Sequence, residues 1–271
     1  MKALIVDLNR CNGCYNCQLA CKDEHCDNDW APIAIAQPQT GQFWCRVDEE
    51  ERGRVPVVRV AYTPVFCGHC DACPLIELAP DAVYRREDGL VVIDPEKARG
   101  RRELARACPL GMVYFNSEAQ VAQKCTGCAH LLDSGWSQPR CVDACATDAL
   151  RWGDMEDLAD EIAEGEADER LKDLGSHVYY LNRPKRWIAG TVANRGENEV
   201  IVGAPVTIFD ADGRAVARVE TDEFGDFRYC ECEKTSYRVR IEAPGYDAIE
   251  LDADCAARDV VLDDVFVDML R

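Results

Sequence analysis

The residues with most chemistry to offer are cysteines at short, regular intervals. Cys11, Cys14, Cys17 and Cys21 follow the spacing C-x2-C-x2-C-x3-C. A tight loop with that spacing points three successive sulfurs at one iron-sulfur cube, while the fourth reaches across to another cluster. Cys67, Cys70 and Cys73 repeat the first three positions and run into Pro74, and Cys108-Pro109 stands alone further on. The last group reads Cys125-x2-Cys128-x12-Cys141-x3-Cys145. Taken alone that group suits a four-cysteine zinc site too, but zinc ribbons use paired CxxC units rather than three in succession. The first group therefore decides for iron and sulfide, whose chemistry is one-electron transfer.

Such loops need a frame to hold them. The chain has 271 residues and 17 cysteines, 14 of which precede residue 146. That is room for about two domains, and the cysteine excess belongs to one of them, so a uniform disulfide scaffold is excluded. Residues 1–150 read as short strands and helices separated by Gly, Pro and Asn, a loop-rich region held by its ligands. Residues 151–186 read as an acidic amphipathic surface helix followed by a solvated linker; the stretch 154–173 carries ten acidic and, counting Arg151, three basic residues, with Leu158, Ile162 and Leu171 as sparse apolar positions. From 187 to 271 the pattern turns to period two, as in Arg238-Val239-Arg240-Ile241-Glu242, which predicts half-buried antiparallel strands. Further strands are predicted at 188–193, 205–210, 215–220, 226–229, 249–252 and 259–262, with turns at Asp212-Gly213, Phe224-Gly225 and Pro244-Gly245. Strands so spaced make a small β-sandwich or barrel. The expected fold class is α+β.

Composition narrows the function. A net charge of −19 argues against nucleic acid, because phosphate contacts need a basic face. No apolar run exceeds about four residues, against the ~20 of a membrane-spanning helix, so no membrane anchor is expected. The start, MKALIVDLNRC, shows no secretory h-region, cleavage site or twin-arginine address, and a cytoplasmic location is expected. Thiols there stay reduced and serve as metal ligands.

With ligands crossing as in ferredoxins, one cluster takes Cys11, Cys14, Cys17 and Cys145, and its partner takes Cys125, Cys128, Cys141 and Cys21. The middle group is a half-erased version of the same arrangement. Counting back from Cys108 by ferredoxin spacing lands on Ala98, Arg101 and Leu104, and the missing fourth ligand of the middle motif falls near Ala79. All four ligands of one cluster are absent together, while Cys67, Cys70, Cys73 and Cys108 survive for the other. Twelve cysteines then serve three clusters, of the [4Fe-4S] type because each set has four thiolates. Cys26 and Cys45 remain as spare thiols, and Cys230, Cys232 and Cys255 are too scattered for a cluster. His25, His69 and His130 lie near ligand loops and suit hydrogen bonding to the ligands or helix capping better than ligation. Lys22, Lys124 and Arg140 flank ligands; each is either a charge that raises a cluster's potential or an ordinary solvated side chain.

These motifs resemble the iron-sulfur subunits that accompany molybdopterin oxidoreductases of the dimethyl-sulfoxide-reductase family. The segments AVYRREDGLVVIDPEKARGRRELARACPLGMVYFN and VAQKCTGCAHLLD are similar to the small subunits of the pyrogallol-phloroglucinol transhydroxylase and catechol dehydroxylase group. The stretch GAPVTIFDADGRAVARVETDEFGDFRY followed by YRVRIEAPGY resembles carboxypeptidase-regulatory or transthyretin-like β domains, which scaffold or dock. The resemblance implies a non-catalytic electron-transfer subunit in a heterodimer. The large partner would carry molybdenum or tungsten on a bis-pterin cofactor, act on phenolic aromatics, and exchange electrons with an external donor through the clusters. Two departures stand out. The family's third middle ligand lies near Leu75, where this chain offers Cys73, and Lys22 and Ala146 follow Cys21 and Cys145 where ferredoxins prefer proline. A soluble polyferredoxin shuttle is the alternative, and the β domain speaks against it; a zinc-held scaffold is a third reading that iron analysis decides.

Overall fold

The structure, a computed structural model, describes residues 1–55, 57–197 and 199–270. The chain divides into two compact units, one of Met1–Glu49 and Tyr62–Arg183 and one of Glu50–Ala61 and Pro184–Arg271.

In chain order the elements begin with β1 (Lys2–Asp7), α1 (Asn16–His25), β2 (Cys45–Arg54), β3 (Val57–Phe66), α2 (Pro74–Leu78), β4 (Val83–Arg85) and β5 (Val91–Ile93). They continue with β6 (Val113–Asn116), β7 (Val121–Lys124), α3 (Ala129–Asp133), α4 (Arg140–Asp143), β8 (Leu150–Asp154), α5 (Ala159–Glu164) and β9 (Val178–Leu181). The run Ala3-Leu4-Ile5-Val6 is buried throughout, the signature of a strand covered on both faces. Successive side chains alternate: Leu4 and Val6 join a core with Cys17, Cys21, Cys141 and Trp44, while Ala3 and Ile5 pack with Leu158 and Leu181. β1 is the centre of a three-stranded sheet, antiparallel to β8 (Leu4 opposite Trp152) and parallel to β9 (Leu4 opposite Val178). Two further hairpins, β4-β5 and β6-β7, complete the strands of this unit apart from the ends of β2 and β3.

Residues 151–186 depart from the expected helix and linker. Only α5 and a 3-10 turn at Glu169–Leu174 are helical, and the stretch returns as β9. The physical reason lies in the apolar spacing. Leu158 and Ile162 make one helical step, after which Gly165 takes extended dihedrals and the next apolar residue, Leu171, lies too far on to extend the stripe. Leu171 is 2% exposed and packs with Cys67, Cys70 and Met112, so this segment covers a ligand loop rather than running through solvent.

The second unit holds β10 (Arg186–Asn194), β11 (Pro205–Phe209), β12 (Ala215–Glu220), β13 (Asp226–Cys232), β14 (Ser236–Ile241), β15 (Ile249–Asp254), β16 (Val260–Val261) and β17 (Val265–Val267). One sheet runs β12-β11-β14-β15; in the other, β10 is flanked by β13 and β16 and also pairs with β17. Inward residues of both, including Ile188, Val192, Phe227, Val206, Ile208, Val239 and Ile241, form one apolar core. The α+β class and the β-sandwich follow directly, and among the described residues seven of these eight strands match predicted ones; the short β17 is additional. One assignment differs. Residues 50–61, which the sequence division keeps within 1–150, group with the second unit. Arg52 donates to both Asp259 oxygens at 2.6 and 2.7 Å, and Arg54 to the Val261 carbonyl and Asp263. The run of charges Glu49-Glu50-Glu51-Arg52 hides this role, because consecutive charged residues carry no local sign of a buried partner.

Candidate metal centres

Each ligand loop is turned by a left-handed residue. Gly13 has φ +70°, and a Cβ there would overlap the Tyr62 ring; Tyr15 follows at φ 62°. His69 has φ 44°, Gly127 φ +65° and Cys128 φ 51°. Such conformations disfavour side chains other than glycine, and here they fold the chain back so that sulfurs separated by two residues face one side. Helix α1 then carries Cys17 and Cys21 one turn apart, and the short α4 holds Cys141 against it.

The folded chain groups the twelve cysteines as follows. Cys11, Cys14, Cys17 and Cys145 line one cavity beside Pro64 and Val47. Burial raises the Cys11 thiol, and repulsion from Cys17, Cys14 and Cys145 adds to the rise. Cys21, Cys125, Cys128 and Cys141 line a second cavity, and Cys67 borders it as well. Burial pushes the Cys21 and Cys141 thiols well up, each helped by Cys125 and Cys128, and takes Cys128 to about 12. In the middle group, burial takes Cys70 to about 12, with further contributions from Cys67, Cys73 and Cys108. Cys73 feels Cys67 and Cys108 in turn. Cys14 is exposed, whereas Cys17, Cys21, Cys67, Cys70, Cys128 and Cys141 are buried.

Polar groups support the loops. The Arg85 guanidinium donates to the carbonyls of His69 (3.1 Å), Cys70 and Asp71 (2.9 Å), three successive groups of the middle loop. The Gly127 N–H donates to Cys125 Sγ at 3.3 Å. His177, in the segment expected to be linker, contacts Asp71 at 3.0 Å, and its backbone N–H donates to the Gly68 carbonyl. Neither Arg85 nor His177 carries a spacing signal, so the sequence does not single them out. His25 packs against Trp44 with the rings tilted and sits 3.9 Å from Cys128 Sγ, and burial lowers its pKa to about 3. His130 meets Glu24 at 3.0 Å and stacks on Trp30. Cys45, one of the spare thiols, lies beside Cys17 and draws that thiol down, while burial pushes Cys45 itself well up. Cys26 is half-buried. In the second unit Cys232 and Cys255 are buried in mutual contact, and Cys230 is exposed.

The basic residues divide. Lys22 donates to the Pro38 and Gly41 carbonyls, and Arg140 bonds Asp143 at 2.8 Å and remains 31% exposed. Lys124, by contrast, is 3% exposed and donates to Cys67 Sγ.

These donors fit iron-sulfur clusters. Four thiolates cannot be buried together without compensating cations. Among the described residues no three Cys, His, Asp or Glu side chains converge as ligands of a single ion. A tetrahedral zinc would draw four sulfurs to about 2.3 Å from one centre, whereas a cube takes each thiolate at a different iron, so its ligands ring a cavity. His69 supplies a second observation. Its Nδ1 accepts the Val91 N–H at 2.9 Å, which leaves the proton on Nε2. That atom is buried without a partner among the described residues and borders the cavity of Cys67 and Cys125. An orphaned N–H there awaits an acceptor, and a cluster's sulfur is one.

The positions of the missing ligands are filled differently. Ala79, Ala98 and Leu104 are each 0% exposed and lie in one apolar core with Leu75, Val91, Val113 and Val121. Arg101, the fourth position, turns outward to Asp81 at 2.5 Å.

Comparison with known proteins agrees with the two-part architecture. A 4Fe-4S dicluster domain model matches residues 58–155, and a carboxypeptidase regulatory-like domain model matches residues 187–263. The chain is 36% identical to the pyrogallol hydroxytransferase small subunit of Pelobacter acidigallici, over 98% of this chain and 96% of that protein. It is 31% identical to a putative dimethyl sulfoxide reductase iron-sulfur subunit of Halobacterium salinarum, over 66% of this chain and 78% of the other. A tetrathionate reductase subunit of Salmonella typhimurium is 34% identical over 66% of this chain and 71% of its own length. With an N-terminal region that carries ferredoxin-spaced cysteines and a relative matched almost end to end, the chain belongs to the iron-sulfur small-subunit family of the molybdopterin oxidoreductases.

Proposed function

We propose that this chain is the electron-transfer subunit of a heterodimeric molybdopterin enzyme that acts on phenolic aromatics of the catechol or pyrogallol type. It would hold three [4Fe-4S] clusters, with Cys11, Cys14, Cys17 and Cys145 on the first, Cys67, Cys70, Cys73 and Cys108 on the second, and Cys125, Cys128, Cys141 and Cys21 on the third. When bound, the clusters supply one-electron chemistry. The residues of this chain bury Cys17, Cys21, Cys67, Cys70, Cys128 and Cys141, donate hydrogen bonds to Cys125 and Cys67 through Gly127 and Lys124, and hold the unpartnered His69 Nε2–H ready for a cluster sulfur. The observation that carries the count is the apolar core at Ala79, Ala98 and Leu104, where side chains occupy the ground of a fourth cluster.

The substrate class rests on the likeness to the pyrogallol hydroxytransferase small subunit, and the molybdenum or tungsten bis-pterin belongs to the large partner. The chain's free thiols suit the reducing cytoplasm. Purification of the native complex tests the reading. A large pterin-bearing subunit should copurify and act on catechol-type substrates, and each small chain should carry about 12 Fe with matching sulfide, about four per cube. Recovery of the chain only as a monomer, or with one or two zinc ions and no sulfide, would overturn it.

A further inference from the structure

Lys124 ends β7, one residue before Cys125, and is buried to 3% exposure. Its Nζ donates to the Val91 carbonyl at 2.6 Å, to the Cys125 carbonyl at 2.8 Å and to Cys67 Sγ at 3.5 Å. An ammonium has three protons and no acceptor, so these bonds use every donor and hold the group in one orientation. Val91 fixes that orientation from the other side, since its N–H is committed to His69. A buried ammonium needs a nearby negative charge. Among the described residues none of its bonded partners is a carboxylate, and the acceptor with anionic character is a cysteine sulfur. Its contacts reach both groups: one donor meets Cys67 Sγ of the middle set and another the carbonyl of Cys125 in the third.

We propose that Lys124 is a positioning residue shared by two clusters, its single buried ammonium standing between the middle and third cysteine sets and raising the reduction potential of both. The inference rests on the ligand assignment above. Reduction adds an electron to a centre already made negative by four thiolates, so a fixed positive charge favours the reduced form. In a buried site that attraction is not screened as it is at the surface. The N–H···S bond to Cys67 acts in the same direction by withdrawing charge from the ligand. No residue of the first set, Cys11, Cys14, Cys17 or Cys145, is among the bonded partners of Lys124, which makes that set an internal control.

The test is a redox titration of the native complex followed by EPR, comparing the unmodified chain with Lys124→Met and Lys124→Arg. In Lys124→Met the reduced-to-oxidised ratio of the middle and third clusters at a fixed potential should fall at least tenfold, which is about 59 mV for one electron. The first cluster should not move, and Lys124→Arg should recover most of the loss. No shift, a shift in one cluster only, or an equal shift in all three would overturn the proposal. Should Lys124→Met lose its clusters, the unmodified complex labelled with 15N-lysine decides. Pulsed EPR should find a lysine nitrogen coupled to the reduced middle cluster, and its absence refutes the contact. Iron and sulfide analysis of the unmodified complex separates the two levels: no clusters at all defeats the ligand assignment, whereas clusters indifferent to Lys124 defeat this inference alone.

Discussion

Arg52→Met should loosen the second unit sharply, although Arg52 lies among exposed, charged residues in the sequence. The Arg52 side chain is 10% exposed and that of Asp259 2%. The pair is bidentate, at 2.6 and 2.7 Å, and Asp259 also accepts the Trp187 N–H at 3.1 Å, while Arg52 donates to the Lys185 carbonyl at 2.8 Å. Removing the guanidinium leaves a carboxylate buried with one backbone donor. Breaking such a pair from one side costs about 3–5 kcal/mol, chiefly because the remaining charge is uncompensated. At about 1.4 kcal/mol per factor of ten, the open population of the surrounding strands should rise roughly 140-fold to 4,000-fold. Hydrogen exchange of the intact chain, read by mass spectrometry on peptides spanning β10 and β16, measures that population directly. The double substitution Arg52→Met with Asp259→Leu separates the causes. With both charges gone, no orphan remains, and protection should return close to that of the unmodified chain. A change below about fivefold in the single variant, or a double variant as loose as the single, would refute the reasoning.

Cys108→Ser should lower iron from about 12 to about 8 per chain, since one [4Fe-4S] cluster is lost; EPR should retain two reduced clusters, and three would refute the middle set. Gly13→Ala places a side chain at φ +70° into the Tyr62 ring, so it should cost the first cluster, seen as loss of about 4 Fe with the other two signals preserved. Leu104→Ala empties part of a core in which Leu104 is 0% exposed, at a cost of about 2–5 kcal/mol, read as earlier thermal inactivation with iron content unchanged. The adjacent Arg101→Ala removes a pair with Asp81 that is 61% exposed on the carboxylate side and should stay within about 1 kcal/mol. Stripping iron and sulfide should abolish exchange protection around the ligand loops. The core of the second unit, built from apolar side chains, should keep its protection.

Much of the fold is legible because its signals are local. Alternation in Arg238-Val239-Arg240-Ile241 is a property of consecutive residues, and β14 spans Ser236–Ile241 as that pattern requires. The unbroken apolar run of β1 marks a strand covered on both faces. The cysteine motifs are local in the same sense: a CxxC loop turns on its own residues, and Gly13 and Gly127 stand at the positive φ values their loops need. Segments whose structure is set by distant partners are less legible. Residues 151–186 look like acidic surface, yet Leu171 and His177 cover the middle loop through contacts with residues about 100 positions earlier.

By itself the sequence determined the chemical class, because Cys11, Cys14, Cys17 and Cys21 stand at full ferredoxin spacing and further cysteine groups follow from Cys67 and Cys125. Tertiary structure alone decided what surrounds those sulfurs. Lys124 and Arg140 are equally basic neighbours of a cysteine in the sequence, yet one is buried against Cys67 and the other is 31% exposed beside Asp143. The reason is physical. Ligand spacing is a short-range property of the chain, whereas burial and the strength of a charge depend on which remote residues exclude water, and only the folded arrangement brings those residues together.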